Sequence, residues 1–304
     1  MSGYIDLQVN GYGGVDFNAD SLDGDALHAT CQRLRADGVA RILATIITDA
    51  LPVMERRLRS IAALRGADPL TAEVITGIHI EGPFLNETPG YIGAHPAEQA
   101  RPADADAMQR LLDAAGGLTR IVTLAPERDP DLRVTRMLAD AGVVVSAGHC
   151  DPTLEQLDAA IEAGLSMVTH LGNGCPPLLP RHDNFIQRVL ARSSHLRVGL
   201  IADGYHLPPF VLSNLLQALG DSAFIVSDAM AAAGLGPGSY ELAGQPVVVG
   251  DELVPWSADR SHFVGSACPI RRMADVLRGI EVPDAEIHQL TVDRPAAILD
   301  ETNT

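Results

Sequence analysis

Short apolar runs and longer amphipathic segments alternate along most of the chain. The apolar runs are rich in Val, Ile and Leu, a pattern typical of buried strands. We predict strands over residues 4–10, 41–48, 74–81, 120–125, 143–149, 167–171, 197–203 and 223–228. The segments between them carry apolar residues at helical spacing. They predict helices over 22–37, 51–65, 104–115, 130–141, 153–163 and 208–219.

Eight strands that alternate with helices favour a closed α/β barrel of the (β/α)8 TIM-like type over an open doubly wound sheet. The alternation stops at residues 235–265, which are rich in Gly and Pro. The run VVVGDELV in this stretch predicts a β-hairpin or a pair of short strands. Helical patterns return over 269–279 and 284–299. We therefore predict one barrel domain over 1–304 with a reduced hairpin insertion.

Composition and charge exclude several classes of protein. All 22 basic residues are arginine, and 39 acidic residues give a net charge of −17. Such a chain does not suit binding to nucleic acid or anionic membranes. The absence of lysine excludes Schiff-base catalysis, a P-loop and a metal site bridged by carbamylated lysine. No apolar run reaches the roughly 20 residues that span a bilayer and no signal peptide is visible, so we expect a cytoplasmic protein.

Polar residues follow most of the predicted strands at the point where each strand ends. In a barrel these positions meet at the rim that carries the chemistry. They are Gln8 and Asn10 on the first strand, Glu81 on the third, His149 on the fifth, His170 on the sixth, Asp203 and His206 after the seventh, and Asp228 on the eighth. Carboxylate and imidazole groups suit a divalent metal with an open position for water. Asp228 can take a proton from the attacking water and return it to a leaving amine, which fits metal-assisted hydrolysis of an amide or ester.

Seven segments spread over residues 4–299 form an ordered series. They read YIDLQVNGYGG, GIHIEGPFLN, GYIGAHP, SAGHCDPT, VTHLGNGCP, IADGYH and IVSDAM. Each alone is a weak signal, but the series resembles the motifs of the N-acetylglucosamine-6-phosphate deacetylase family of the amidohydrolase superfamily. The resemblance implies a metal-dependent hydrolase that removes the acetyl group from N-acetylglucosamine 6-phosphate.

The resemblance also implies a role for each matching residue. Glu81, His149 and His170 match the family's metal ligands, and Asp228 matches its catalytic acid and base. The implied substrate contacts are His206 near the acetamido group, His95, Asn173 with Gly174, and Arg181 at the phosphate. The family can take this arginine from the neighbouring subunit, so a homodimer is implied as well.

Gln8 and Asn10 stand where many amidohydrolases carry His-x-His and hold a second metal. Amide side chains are poor zinc ligands beside imidazoles. We therefore expect one divalent metal, zinc first, with iron, manganese or cobalt also fitting the ligands, and we count both amides among the substrate contacts. His79 is expected to point away from the metal or to pack beneath it. The histidines expected to be structural or on the surface are His28, His195, His262 and His288.

Two features differ from the family pattern. Family members usually add a small β-sandwich built from segments before and after the barrel, and we expect most of it to be missing here. The loop after His170 reads GNGCPPLLPRHDN, where the family commonly continues with Tyr-Asn-Ala-Met. An unphosphorylated or differently decorated N-acyl amino sugar therefore stays open as the substrate. A non-catalytic sugar-binding barrel is a remote alternative.

Overall fold

The computed structural model describes residues 3–258, 260 and 262–301. The single domain predicted over 1–304 also includes residues 1–2, 259, 261 and 302–304, which lie outside the described residues. Each predicted strand is present, and the eight form one parallel sheet in chain order, which curls into a nearly closed barrel. The strands are β1 (Tyr4–Val9), β2 (Val39–Ile47), β3 (Ile75–Glu81), β4 (Thr119–Leu124), β5 (Val144–Ala147), β6 (Leu165–Val168), β7 (Arg197–Ile201) and β8 (Ala223–Val226).

Helices follow the barrel strands as the apolar spacing predicts. They are α1 (Gly24–Ala36), α2 (Leu51–Ala67), α3 (Pro69–Val74), α4 (Ala105–Ala114), α5 (Arg133–Asp140), α6 (Leu154–Glu162), α7 (Phe185–Leu190), α8 (Pro209–Leu219), α9 (Ile270–Gly279), α10 (Asp284–His288) and α11 (Arg294–Glu301). A π-helical turn, Gln289–Asp293, joins the last two. Helix α6 begins with a capping box, in which Thr153 and Gln156 each bind the other's backbone N–H. The short 3₁₀ turns are Ala97–Gln99, Pro126–Arg128, Ser193–His195 and Gly220–Ser222.

Apolar burial holds the helices against the sheet. Ile78 and Ile80 of β3 are wholly buried, and so are Leu58 and Ile61 of α2. Each such side chain contributes about 1.5–3 kcal/mol when it leaves water. Because both faces of each strand are covered, the strand sequences are nearly continuous apolar runs.

The barrel closes where β1 meets β8. A parallel backbone bridge joins Val9 to Ala229. Below it, the Asp6 carboxylate accepts hydrogen bonds from the N–H of Ser227 at 3.1 Å and of Gln8 at 3.3 Å. Burial raises the pKa of Asp6 to about 6. A side chain thus replaces part of the backbone ladder at this seam.

The insertion is a three-stranded antiparallel sheet rather than a lone hairpin. Its strands are β9 (Gly238–Leu242), β10 (Gln245–Val249) and β11 (Pro255–Ser257). Ala243 and Gly244 both have positive φ and form the tight turn between the first two strands. An apolar cluster packs this sheet on the barrel, and its members include Ile47, Met230, Leu242, Val247, Val249 and Val264.

Two further short strands, Gly11–Tyr12 and Val15–Asp16, pair beside the barrel mouth. None of the helices in the described part of the chain has both the length and the apolar character needed to cross a bilayer.

Candidate active site

A cavity of about 840 Å³ lies where the barrel strands end, and the inserted sheet borders it. All the site residues predicted from the sequence line it, except Gln8 and Arg181. Those that do are Asn10, Glu81, His95, His149, His170, Asn173, Gly174, His206 and Asp228. The fold therefore brings nine distant positions to one rim.

Three of these residues have an unusual backbone. His149, His170 and Asp228 have φ values of 52°, 32° and 52°, in the left-handed region. Each follows its barrel strand by one or two residues, so the chain turns sharply and its side chain faces the cavity. Such a conformation costs a non-glycine residue about 1–3 kcal/mol and persists only where the surroundings fix it. Strain of this kind concentrates at functional sites.

Three ligand atoms meet at the floor of the cavity. Oε1 of Glu81 lies 3.2 Å from Nε2 of His149 and 3.1 Å from Nε2 of His170, and the two nitrogens are 3.2 Å apart. Ligands about 2.0–2.1 Å from a tetrahedral zinc ion lie about 3.3 Å from one another. The triangle therefore has the size of one face of a metal site, and its carboxylate and imidazole donors fit a divalent cation.

Hydrogen bonds define the tautomers of two neighbouring histidines. Nδ1 of His149 lies 2.8 Å from the carbonyl oxygen of Tyr91, so this nitrogen carries the proton and Nε2 presents its lone pair to the triangle. Nδ1 of His95 accepts the N–H of Thr48 at 3.3 Å, so its Nε2 carries the proton. Burial lowers the pKa of His95 to about 3, which keeps the ring neutral. His95 lies close enough to Glu81 and His149 to be a ligand, but this tautomer makes it a hydrogen-bond donor to the cavity.

Glu81 is the anionic member of the triangle. Burial opposes its ionisation, but the close contacts with His149 and His170 outweigh burial and hold the pKa of Glu81 well below its usual range. Gln8 supports the other oxygen, because its Nε2 donates to Oε2 of Glu81 at 3.1 Å. Gln8, predicted to be a substrate contact, lies behind Glu81 and is not among the described residues that line the cavity.

Asp228 is a half-buried acid that lines the same cavity. Its pKa is raised to about 6 by burial, while His170, His206 and the bond from Asn10 act in the other direction. That bond is short, with Nδ2 of Asn10 2.7 Å from Oδ1 of Asp228. A base with a pKa just below neutral can both take and return a proton under physiological conditions.

His206 is oriented by Asp203. Its Nδ1 lies 2.7 Å from Oδ2 of Asp203, which also accepts the hydroxyl of Ser266 at 3.0 Å. The other carboxylate oxygen accepts the N–H groups of Tyr205 and His206. Nδ1 therefore donates to the carboxylate, and Nε2 is left to meet a ligand in the cavity.

A polar layer inside the barrel lies under the site. Nε2 of His79 bonds the Thr123 hydroxyl at 2.7 Å, which continues to Thr169 and then Ser146 at the same spacing. Burial lowers the pKa of His79 to about 4. His79 thus packs inside the barrel beneath the candidate metal ligands, and this network fills the barrel interior below them.

Two glycines allow loops to close on His149. A Cβ on Gly174 would lie 2.7 Å from Nδ1 of His149, and one on Gly93 would lie 3.0 Å from its Cε1. Both glycines have positive φ. The same loops meet where a Cβ on Gly90 would fall 2.8 Å from Pro176. Only glycine permits this approach of both loops to a candidate metal ligand.

The inserted sheet supplies an aromatic wall that sequence reasoning missed. Trp256 and Phe263 line the cavity with ring centroids 4.5 Å apart, and Phe263 lies 4.9 Å from His206. His262, predicted to be structural or on the surface, also lines the cavity. The reason is an antiparallel bridge between Trp256 and Phe263, which folds the segment back over the rim. The chain's one tryptophan, placed in an insertion, was the available signal.

Arg181 lies away from the cavity. It is exposed, together with His182 and Asp183, on the loop between the cavity-lining Pro177 and helix α7. The described residues that line the cavity include no arginine. The three other predicted non-site histidines, His28, His195 and His288, lie outside the cavity lining.

Comparison with known proteins gives a consistent set of relatives. No family model matches the chain. The chain is 36% identical over 275 residues to N-acetylglucosamine-6-phosphate deacetylase of Bos taurus, and 36% over 255 residues to that of Bacillus subtilis. These alignments cover 88% and 82% of the chain but only 66% and 62% of the relatives, so the chain spans less than two thirds of their length.

Solved structures show the same relationship. A mutant N-acetyl-D-glucosamine-6-phosphate deacetylase from Mycobacterium smegmatis, in complex with N-acetyl-D-glucosamine-6-phosphate, superposes with a TM-score of 0.89 at 30% identity. The match covers 98% of this chain and 77% of that one. The similarity therefore extends over the whole barrel and its rim.

Proposed function

Because the chain belongs to the N-acetylglucosamine-6-phosphate deacetylase family, we propose that it hydrolyses N-acetylglucosamine 6-phosphate to glucosamine 6-phosphate and acetate. One observation carries the proposal. The Glu81, His149 and His170 triangle lies in the same cavity as the half-buried Asp228, whose pKa is raised to about 6. A binding protein would need neither the triangle nor the base, so we set the non-catalytic alternative aside.

Glu81, His149 and His170 would hold one divalent cation, and zinc suits their donor atoms best. When bound, such a cation polarises a carbonyl and lowers the pKa of water. The amides of Gln8 and Asn10 donate through their nitrogens to Glu81 and Asp228, and amide oxygens are poor zinc ligands beside imidazoles, which favours one metal over two.

The remaining residues handle protons and orient the substrate. Asp228 accepts a proton from the attacking water and delivers it to the departing amine, while Asn10 holds its carboxylate in place. His206, anchored by Asp203, accepts a hydrogen bond from the acetamido N–H or a neighbouring hydroxyl through Nε2. His95 offers a neutral donor.

We propose that the phosphate lies at Asn173 and Gly174, with its arginine supplied by a second subunit. Arg181 is exposed on its own chain and does not line the cavity. A homodimer would explain how Arg181 reaches a phosphate, if Arg181 of one subunit lies at the cavity of the other. In that arrangement the exposed loop with Leu178, which is 89% exposed, would lie at the interface.

An unphosphorylated amino sugar is the second candidate substrate. No arginine is among the described residues that line the cavity, and the Trp256 and Phe263 rings offer apolar surface to a neutral sugar. If the chain works as a monomer, this candidate is the stronger one.

The test is acetate release from N-acetylglucosamine 6-phosphate and from N-acetylglucosamine, run in parallel with the zinc-loaded protein. Asp228→Asn keeps the shape and removes the base, so it should abolish turnover. Arg181→Ala should raise KM for the phosphorylated sugar only. Turnover of N-acetylglucosamine alone would favour the unphosphorylated sugar as the substrate. Turnover of neither sugar would refute the proposed reaction.

A further inference from the structure

The candidate metal ligand His149 is held in place by hydrogen bonds from residues that do not line the cavity. Its Nδ1 donates to the carbonyl of Tyr91 at 2.8 Å. The hydroxyl of Tyr91 donates to Oδ2 of Asp151 at 2.9 Å, and Nη1 of Arg188 donates to Oδ1 of Asp151 at 2.7 Å. The bonds therefore run without a break from helix α7 to the imidazole.

The segment 149–151 needs such support, because His149 adopts the left-handed conformation. Two further bonds fix its backbone. The N–H of Asn86 donates to the carbonyl of His149 at 3.0 Å, and the N–H of Asp151 donates to Glu127 at 2.6 Å. Those bonds fix the position of the main chain. They do not set the rotation of the imidazole, which depends on the Tyr91 carbonyl.

Tyr91 can hold that carbonyl only if its own loop is fixed. Its side chain is 9% exposed, and its hydroxyl is the link from the loop to the segment after β5. Asp151 cannot hold Tyr91 alone, since its carboxylate is 34% exposed and free to rotate without Arg188. Arg188, 12% exposed, fixes it from α7 and also binds the carbonyl of Pro152 at 2.8 Å.

We propose that Tyr91, Asp151 and Arg188 form a positioning chain that sets the tautomer and orientation of His149 for metal binding. None of the three touches the triangle with its side chain. They act through the Tyr91 carbonyl, as second partners of metal-bound histidines do in general. The inference rests on the proposed function for the existence of the metal site, and it adds residues that act on metal affinity.

The test measures metal affinity directly. Metal-free protein is titrated with zinc against a chromogenic chelator, for the wild type, Tyr91→Phe and Arg188→Gln. Tyr91→Phe keeps the ring and the carbonyl and removes the hydroxyl, so it should weaken zinc affinity about 10-fold, the low end of the loss expected when a direct partner of a metal-bound histidine is removed. Arg188→Gln should also weaken zinc affinity, and it tests the proposal if Tyr91→Phe does not fold.

Asp183→Asn is the matched control. Arg188 also binds Asp183 at 2.7 Å, but that carboxylate is 80% exposed, and exposed pairs contribute little. The control removes a charge from the same arginine and leaves the chain to His149 intact. Its zinc affinity should stay within about threefold of wild type.

A spectroscopic readout separates positioning from simple loss of stability. In cobalt-substituted protein, a reoriented imidazole should change the visible absorption in Tyr91→Phe and leave it unchanged in Asp183→Asn. Equal affinity and equal spectra in Tyr91→Phe and wild type would overturn the positioning chain alone. Failure of the wild type to bind any divalent metal would overturn it together with the proposed metal site. Binding without deacetylation would refute only the proposed reaction.

Discussion

Removing the amide that holds the proposed catalytic carboxylate should shift the pH dependence of the proposed reaction. In Asn10→Ala, Asp228 loses the hydrogen bond that Asn10 Nδ2 donates to its Oδ1 at 2.7 Å. Burial already raises the pKa of Asp228 to about 6, and this bond is one of the interactions that oppose the rise. A hydrogen bond to a charged group contributes about 1.5–3 kcal/mol, or about 1–2 pKa units.

The sign follows from the role of the base. Asp228 must be ionised to accept a proton, so a higher pKa leaves less of the active form at neutral pH. The acidic limb of kcat/KM against pH should therefore move upward by about 1–2 units in Asn10→Ala. Activity should recover on the alkaline side, because the carboxylate is still present there.

The assay is acetate release at low substrate concentration over a range of pH. Asn173→Ala is the control, since Asn173 also lines the cavity but donates to the carbonyl of His170. It should change KM and leave the acidic limb in place. A uniform loss of activity in Asn10→Ala at every pH would refute the electrostatic argument and make Asn10 a substrate contact.

Two further substitutions test the loops and the aromatic wall. Gly174→Ala would place a Cβ 2.7 Å from His149 Nδ1 and should weaken zinc binding. Gly116 has a similar φ but open space around it, so Gly116→Ala should leave zinc binding unchanged. It should lower the free energy of unfolding, measured by chemical denaturation, by the backbone strain of about 1–3 kcal/mol. Equal effects of the two would contradict the predicted contact. Trp256→Ala should raise KM about 2–10-fold with little change in kcat, because it removes apolar contact surface worth about 0.5–1.5 kcal/mol. Phe210→Ala, which truncates an aromatic side chain 70% exposed on α8, should leave steady-state kinetics unchanged.

The pattern of apolar and polar residues was sufficient to predict the barrel, because the sequence of each strand carries the signal by itself. Eight runs such as ITGIHIE are rich in apolar residues because both strand faces are covered, and their number and alternation with helices allow few other folds. Polar residues at strand ends then meet at one rim, which is why Glu81, His149, His170 and Asp228 could be grouped in advance. Their roles remain predictions for the experiments above.

Features that depend on tertiary packing were not accessible from the sequence. Gln8 and Asn10 read alike, but only the seam geometry places one behind Glu81 and the other on Asp228. Trp256 reaches the cavity from β11, a strand of three residues that is too short to show a periodicity in the sequence. The chain from Arg188 to His149 joins residues far apart in sequence, and no spacing rule connects them.

The seam between β1 and β8 carries both the closure of the barrel and the proposed catalytic carboxylate. Asn10 follows Val9 and Asp228 precedes Ala229, the two residues of the backbone bridge, so the bond between their side chains adds to the closure. A brief parting of the two strands would separate the base from its partner while every helix remained packed. Activity would then be lost on heating before the protein unfolds. A substrate bound across the seam would hold the two strands together and keep the barrel closed.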